Sequence, residues 1–110
     1  MRDDTGRLRD ILETCELLIR EIGPRLPELR SDPVVQAATQ RWIEIIGEAS
    51  SRLSDDVTSA NPDIPWRSMI GMRNVLAHGY FDIDAAVVEA VVDRDVPMIA
   101  RRITQILEQS

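Results

Sequence analysis

Apolar residues recur at three- and four-residue steps along most of this chain. Leu8, Ile11, Leu12, Cys15, Leu18, Ile19 and Ile22 form one stripe of an amphipathic helix, which Gly23-Pro24 is expected to end. Ser31-Asp32-Pro33 offers a capping side chain followed by proline in a first turn, so a second helix is expected to start there. Val35, Ala38, Trp42, Ile45, Ile46, Ala49 and Leu53 make its stripe, which fades into Ser54-Asp55-Asp56. Asn61-Pro62-Asp63-Ile64-Pro65 reads as a loop, and a short helix from about Pro65 to Ala77 follows, closed by Gly79 as a left-handed cap. Asp82 or Asp84 is expected to cap the next helix, carrying Ile83, Val87, Ala90 and Val91. Asp95 and Pro97 should break the chain again before a last stripe of Ile99, Ile103, Ile106 and Leu107. The valines near Val87 and Val91 also suit a strand, but a lone strand would have no partner. The pattern predicts an all-α fold, an antiparallel bundle of four to five helices joined by short loops.

The length of 110 residues makes 1–110 a single domain, short enough that a second copy is expected to add stability. A single cysteine, Cys15, excludes an internal disulfide framework, and a single histidine, His78, excludes a two-histidine metal site within one chain. No apolar run has the length of a membrane span, and Met-Arg-Asp-Asp is too charged for a signal peptide, so a soluble cytoplasmic protein is expected. The net charge of −6 argues against a broadly basic nucleic-acid binder. All basic residues are arginine, which excludes lysine Schiff-base chemistry and a P-loop lysine.

Local charge changes this picture. From Ile64 to Phe81 there is no acidic residue, while Arg67, Arg73, Asn74, His78 and Tyr80 all fall in that window. An acidic protein with such a patch can still bind an anion there, because the local field matters more than the total, although chance alone also produces such a window. His78 is the one side chain whose ordinary pKa lies near neutrality, suited to a general acid or base, or else to a helix cap. Arg73 suits a phosphate, or a surface salt bridge. Five residues separate it from His78, about 140° around a regular helix, so the two meet only if the helix unwinds or a second copy contributes. Asn74 lies one turn before His78 and could orient it or hold substrate. Tyr80 could stack on a base, orient His78 or carry a modification, or simply sit at the boundary with its hydroxyl in water. Glu44 and Glu48 are four apart beside Gly47, which permits close helix approach. Arg41 and Arg52 stand at ion-pair spacing from them, which favours a paired face over acid–base work. Cys15 on the apolar stripe fits the core better than a nucleophile, and Trp42 and Trp66 fit core or interface anchors.

The run Arg73-Asn74-Val75-Leu76-Ala77-His78-Gly79-Tyr80 resembles the signature of the HepT-like branch of the HEPN superfamily: arginine, four residues, histidine, one residue, tyrosine. The flanks Glu44-Ile45-Ile46-Gly47-Glu48-Ala49, Ile64-Pro65-Trp66 and Gly79-Tyr80-Phe81-Asp82 are similar too. The likeness covers most of the chain and is densest from Trp42 to Asp84. One departure lies near Val87 and Val88, where the family often carries an aromatic residue and this chain has valines.

The resemblance implies a HEPN-type homodimer acting as the toxin of a type VII toxin–antitoxin pair. It implies a metal-independent endoribonuclease without cofactor, cutting RNA in a cleft shared by both protomers. Arg73 and His78 would be catalytic and Asn74 supporting. The partner would be an MNT-type nucleotidyltransferase antitoxin that uses ATP to place AMP on Tyr80. Two other classes remain open: a non-catalytic helical partner or substrate-binding module of a minimal nucleotidyltransferase, and a protein that holds a free nucleotide between Arg73 and His78.

Overall fold

The computed structural model describes residues 3–76 and 81–109, with the backbone alone for 74–76 and 81–84. Among the described residues the chain is helical throughout, without strands. Helix α1 spans Asp4–Leu17 and continues through a π turn, Leu18–Ile22, into a 3₁₀ segment, Gly23–Glu28. Helix α2 is Pro33–Ser51, α3 the short Asp55–Ala60, and α4 Trp66–Leu76. Helix α5, Phe81–Ala90, runs through a second π turn, Val91–Asp95, directly into α6, Val96–Glu108. Four long helical rods and one short helix are the all-α bundle the sequence predicts.

Local chemistry explains the starts. Asp3 caps α1 by accepting from the Gly6 amide at 2.8 Å. Asp32 caps α2 by accepting from the amides of Val34 and Val35, and Pro33 fills the first turn, where its missing N–H costs nothing. Ser54 caps α3. The sequence pattern misses α3 as a helix, because its six residues bury no apolar side chain and so carry no stripe.

Three expectations need correction. Asp95 and Pro97 do not break the last helix. The π turn before Pro97 lets the amide of Val96 bond to the carbonyl of Val91, and the helix passes the proline unbroken. The same device precedes Pro24, where the Gly23 amide bonds to the Leu18 carbonyl. The two π turns also pack against each other, burying Leu18, Ile22, Val91 and Val92. Second, Asp82 and Asp84 lie inside α5 rather than ahead of it. Third, α2 buries Val35, Thr39, Ile43, Ile46, Gly47, Ala49 and Ser50, so Val35, Ile46 and Ala49 of the expected stripe reach the core, as does Leu53 just beyond the helix, while Ala38, Trp42 and Ile45 are only half-buried and Val34, outside that stripe, is 71% exposed. Buried Thr39 satisfies its hydroxyl on the Val35 carbonyl, so a polar residue is tolerated where the pattern sought an apolar one.

The core joins all the rods: Ile11, Leu18, Leu29, Ile43, Ile46, Ile64, Met69, Val88, Ile99 and Ile103 are almost fully buried. Helix α2 packs most extensively on α4 and then on α1, and α1 packs on α6. Trp66 anchors the start of α4 in the core and donates its indole N–H to the Asn61 carbonyl at 3.0 Å. Arg102 of α6 clasps the same loop through Asp63 and Asn61. These ties fix α4, and with it Arg73, against α2.

Candidate functional site

Arg73 lies in the last turn of α4, where a cation complements the helix dipole. Its stem passes over Gly47 of α2: a Cβ at position 47 would stand 3.1 Å from the Cβ of Arg73 and 3.0 Å from the Met69 carbonyl oxygen. Glycine is what lets these two helices approach this closely, as the sequence suggests. Having crossed Gly47, Arg73 donates from Nη1 to Oε2 of Glu48 at 2.5 Å. The other carboxylate oxygen of Glu48 accepts from Nε of Arg52 at 2.7 Å. The backbone carbonyl of Arg52 in turn accepts from Nη1 of Arg7 on α1. Asp4 reinforces this corner by accepting from both the amide and the hydroxyl of Ser54.

Two guanidinium groups, those of Arg52 and Arg73, therefore converge on one carboxylate, and a third, that of Arg7, ties the Arg52 backbone to α1. The Arg52 hydrogen bond, with its charge and that of Arg73, holds Glu48 below the usual carboxylate range, so it is ionised at neutral pH. An ionised, doubly paired glutamate is unsuited to carrying a proton at neutral pH. Glu44 is paired with Arg41 at 3.7 Å and accepts from Gln40. Both glutamates thus form the paired face expected from their spacing.

Arg73 itself is about one-third exposed. Only its Nη1 is engaged among the described residues, none of which takes the Nε–Nη2 edge. Such an edge is the one that grips a phosphate bidentately. Arg67 is exposed on the same helix. His78, Tyr80 and the capping Gly79 lie outside the described residues, as does the side chain of Asn74. Sequence reasoning missed the Glu48–Arg73 contact. The signal was there in Gly47-Glu48: a small residue at a helix crossing followed by a carboxylate, with an unpaired arginine elsewhere.

Burial pushes the Cys15 thiol up to about 12, which fits the core role and not a nucleophile. Trp66 is buried as an anchor, whereas Trp42 is half-buried. Among the described residues no group of three His, Cys, Asp or Glu side chains could hold a metal ion, and no helix is long and apolar enough to cross a membrane.

The comparisons with known proteins bear on the same residues. The chain matches the Ribonuclease HepT-like family over residues 8–106. It is 39% identical over 101 residues to a Thermococcus cleftensis protein named "Probable ribonuclease HepT", covering 89% of this chain and 90% of that one. It is 36% identical over 105 residues to a "Putative RNase" of Methanocaldococcus jannaschii, covering 93% and 94%. It is 31% identical over 110 residues to another protein so named, from Caldanaerobacter subterraneus subsp. tengcongensis, covering 99% and 98%. No solved structure is significantly similar. With the family matched from the first apolar stripe to the last helix, the chain belongs to the HepT-like ribonuclease family.

Proposed function

We propose that this protein is a metal-independent endoribonuclease and the toxin of a toxin–antitoxin pair, working in the cytoplasm as a homodimer whose cleft both protomers line. The observation that carries this reading is Arg73: held at a helix crossing with its phosphate-gripping edge open, within a chain of ribonuclease kinship. Arg73 would bind the scissile phosphate and stabilise the charge that grows on it in the transition state. His78 would move a proton, and Asn74 would orient His78 or the RNA. Attack by the RNA 2′-hydroxyl on the adjacent phosphorus forms one P–O bond as the bond to the leaving 5′-oxygen breaks. One group takes the 2′ proton and another protonates the leaving oxygen. A 2′,3′-cyclic phosphate and a 5′-hydroxyl result. With one histidine per chain, the two His78 side chains of a dimer can divide the acid and base roles.

The half-exposed apolar row of α2, Val34, Ala38, Trp42 and Ile45, supports a second copy. By helical geometry it lies beside the row that carries Glu44 and Glu48, so a partner covering it would approach Arg73. The antitoxin would be an MNT-type nucleotidyltransferase that transfers AMP from ATP to Tyr80. Nucleotide bulk and phosphate charge two residues from His78 would exclude RNA and compete for Arg73.

The test is cleavage of a labelled single-stranded RNA in EDTA by unmodified wild-type protein, Arg73→Ala and His78→Ala, each checked for assembly. Activity in the wild type that disappears in both variants is expected. An inactive, unmodified wild-type dimer would favour the non-catalytic partner of a nucleotidyltransferase instead.

A further inference from the structure

We propose that Glu48 is a positioning residue for Arg73, fixing the guanidinium so that its Nε–Nη2 edge is presented to the scissile phosphate; this rests on the ribonuclease reading above. A long side chain is costly to use in catalysis. Arginine carries about 2 kcal/mol of rotamer entropy, and a catalytic group displaced by an ångström loses much of its effect. Arg73 is restrained at two places along its length. At its stem, Gly47 leaves a slot in α2 that the Cβ and Cδ of Arg73 occupy. At its tip, Glu48 takes a single N–H, the one on Nη1.

The restraint works because Glu48 is itself fixed. Its second oxygen is held by Arg52, one turn along the same helix, at 2.7 Å. The Arg52 backbone is tied to α1 through Arg7. The carboxylate is thus clamped between two helices and hands Arg73 one fixed acceptor. It also offsets part of the repulsion among Arg7, Arg52 and Arg73, which the chain places at one corner. A carboxylate competing for the phosphate site would be expected to take the bidentate edge. Here it takes one Nη, and the edge suited to a phosphate remains.

The experiment compares Glu48→Gln, which keeps one weaker acceptor, and Glu48→Met, which keeps none, with wild type. It reads kcat and KM on RNA, thermal midpoint, and the ¹⁵N signals of the Arg73 Nη groups, assigned by their loss in Arg73→Lys. The expected result is a fall in kcat of about 10-fold for Gln and about 100-fold for Met. KM should move less than about 3-fold, the midpoint should be little changed, and the separate Nη signals should merge as rotation becomes free. In an Arg73→Lys background, Glu48→Met should cost little more, since Glu48 acts through Arg73. Unchanged kcat with lower KM would overturn the proposal and make Glu48 a competitor of the RNA phosphate. Additive losses in the Arg73→Lys background would overturn it in favour of a structural role. A wild type that cuts no RNA defeats the ribonuclease reading and the positioning role together. Separate Nη signals in that inactive protein would leave Glu48–Arg73 as a structural ion pair only.

Discussion

Gly47 and Arg73 occupy one slot between two helices: the space a β-carbon would take at position 47 lies 3.1 Å from the β-carbon of Arg73. A methyl group there also meets the Met69 carbonyl oxygen at 3.0 Å, and backbone yields little. Gly47→Ala should therefore destabilise the protein by about 1–2 kcal/mol, despite the better helix propensity of alanine. RNA cleavage should fall further than stability does, because Arg73 is pushed aside. Denaturant unfolding and steady-state kinetics on the same sample check both; a variant as stable and as active as wild type would disprove the close crossing.

Ser50 buries its hydroxyl with no hydrogen-bond partner among the described residues. Leaving a buried hydroxyl unsatisfied is costly, and alanine is the better helix former. Ser50→Ala should leave the fold intact and raise stability by up to about 1 kcal/mol, read as a higher denaturation midpoint at unchanged m-value. A clear loss of stability would mean that the hydroxyl has a partner.

Cys15 sets an alkaline limit. Its thiol stands near 12 in the folded protein against 9.0 for an exposed one, because burial disfavours the thiolate. An unfolded chain therefore loses this proton first as pH rises. The contribution is whole below about pH 9 and is lost progressively toward pH 12, at no more than about 1.4 kcal/mol per pH unit. Cys15→Ala should remove that part of the slope between pH 9 and 11. Thiol reagents at neutral pH should leave the native protein unmodified and react after denaturation.

A 2′-deoxy nucleotide at the cleaved position should abolish cutting there, since the proposed nucleophile is absent. The products of the unmodified RNA should end in a 2′,3′-cyclic phosphate. Mass spectrometry of the fragments settles this, and cleavage that ignores the substitution would rule the mechanism out.

The sequence displays the helical class of this fold because nearly every helix buries a periodic row, and it draws attention to Arg73 because the run that resembles the HepT-like signature is contiguous. What it hides has physical reasons. Helix α3 has no apolar face to announce it. Pro97 reads as a breaker, yet one π turn absorbs the missing N–H and the ring. Trp42 and Ile45 look like core because they are apolar, while periodicity alone does not separate a row packed within the chain from one beside it. The Glu48–Arg73 contact joins residues 25 apart, and only the packing of α2 on α4 brings them together. His78 and Tyr80, legible as residue types, lie outside the described residues.

The unbroken passage through Pro97 has a mechanical side. Segments of ten, five and thirteen residues run end to end from Phe81 to Glu108, about 40 Å at ~1.5 Å per residue. That length is close to the longest dimension of the molecule, 41 Å. Phe81, at one end, is the residue next to Tyr80, while Ile99 and Ile103 toward the other end are buried in the core where α6 meets α1. From Ile103 to Phe81 is about 33 Å, so a tilt of about 2° about the α6–α1 contact moves the far end by about 1.2 Å, unless Val88, Val91 and Val92, buried along the rod, resist it. A substitution at Ile103 that re-seats α6 on α1 is therefore felt at Phe81 to the extent that the rod moves as one body, though it touches neither Phe81 nor Arg73.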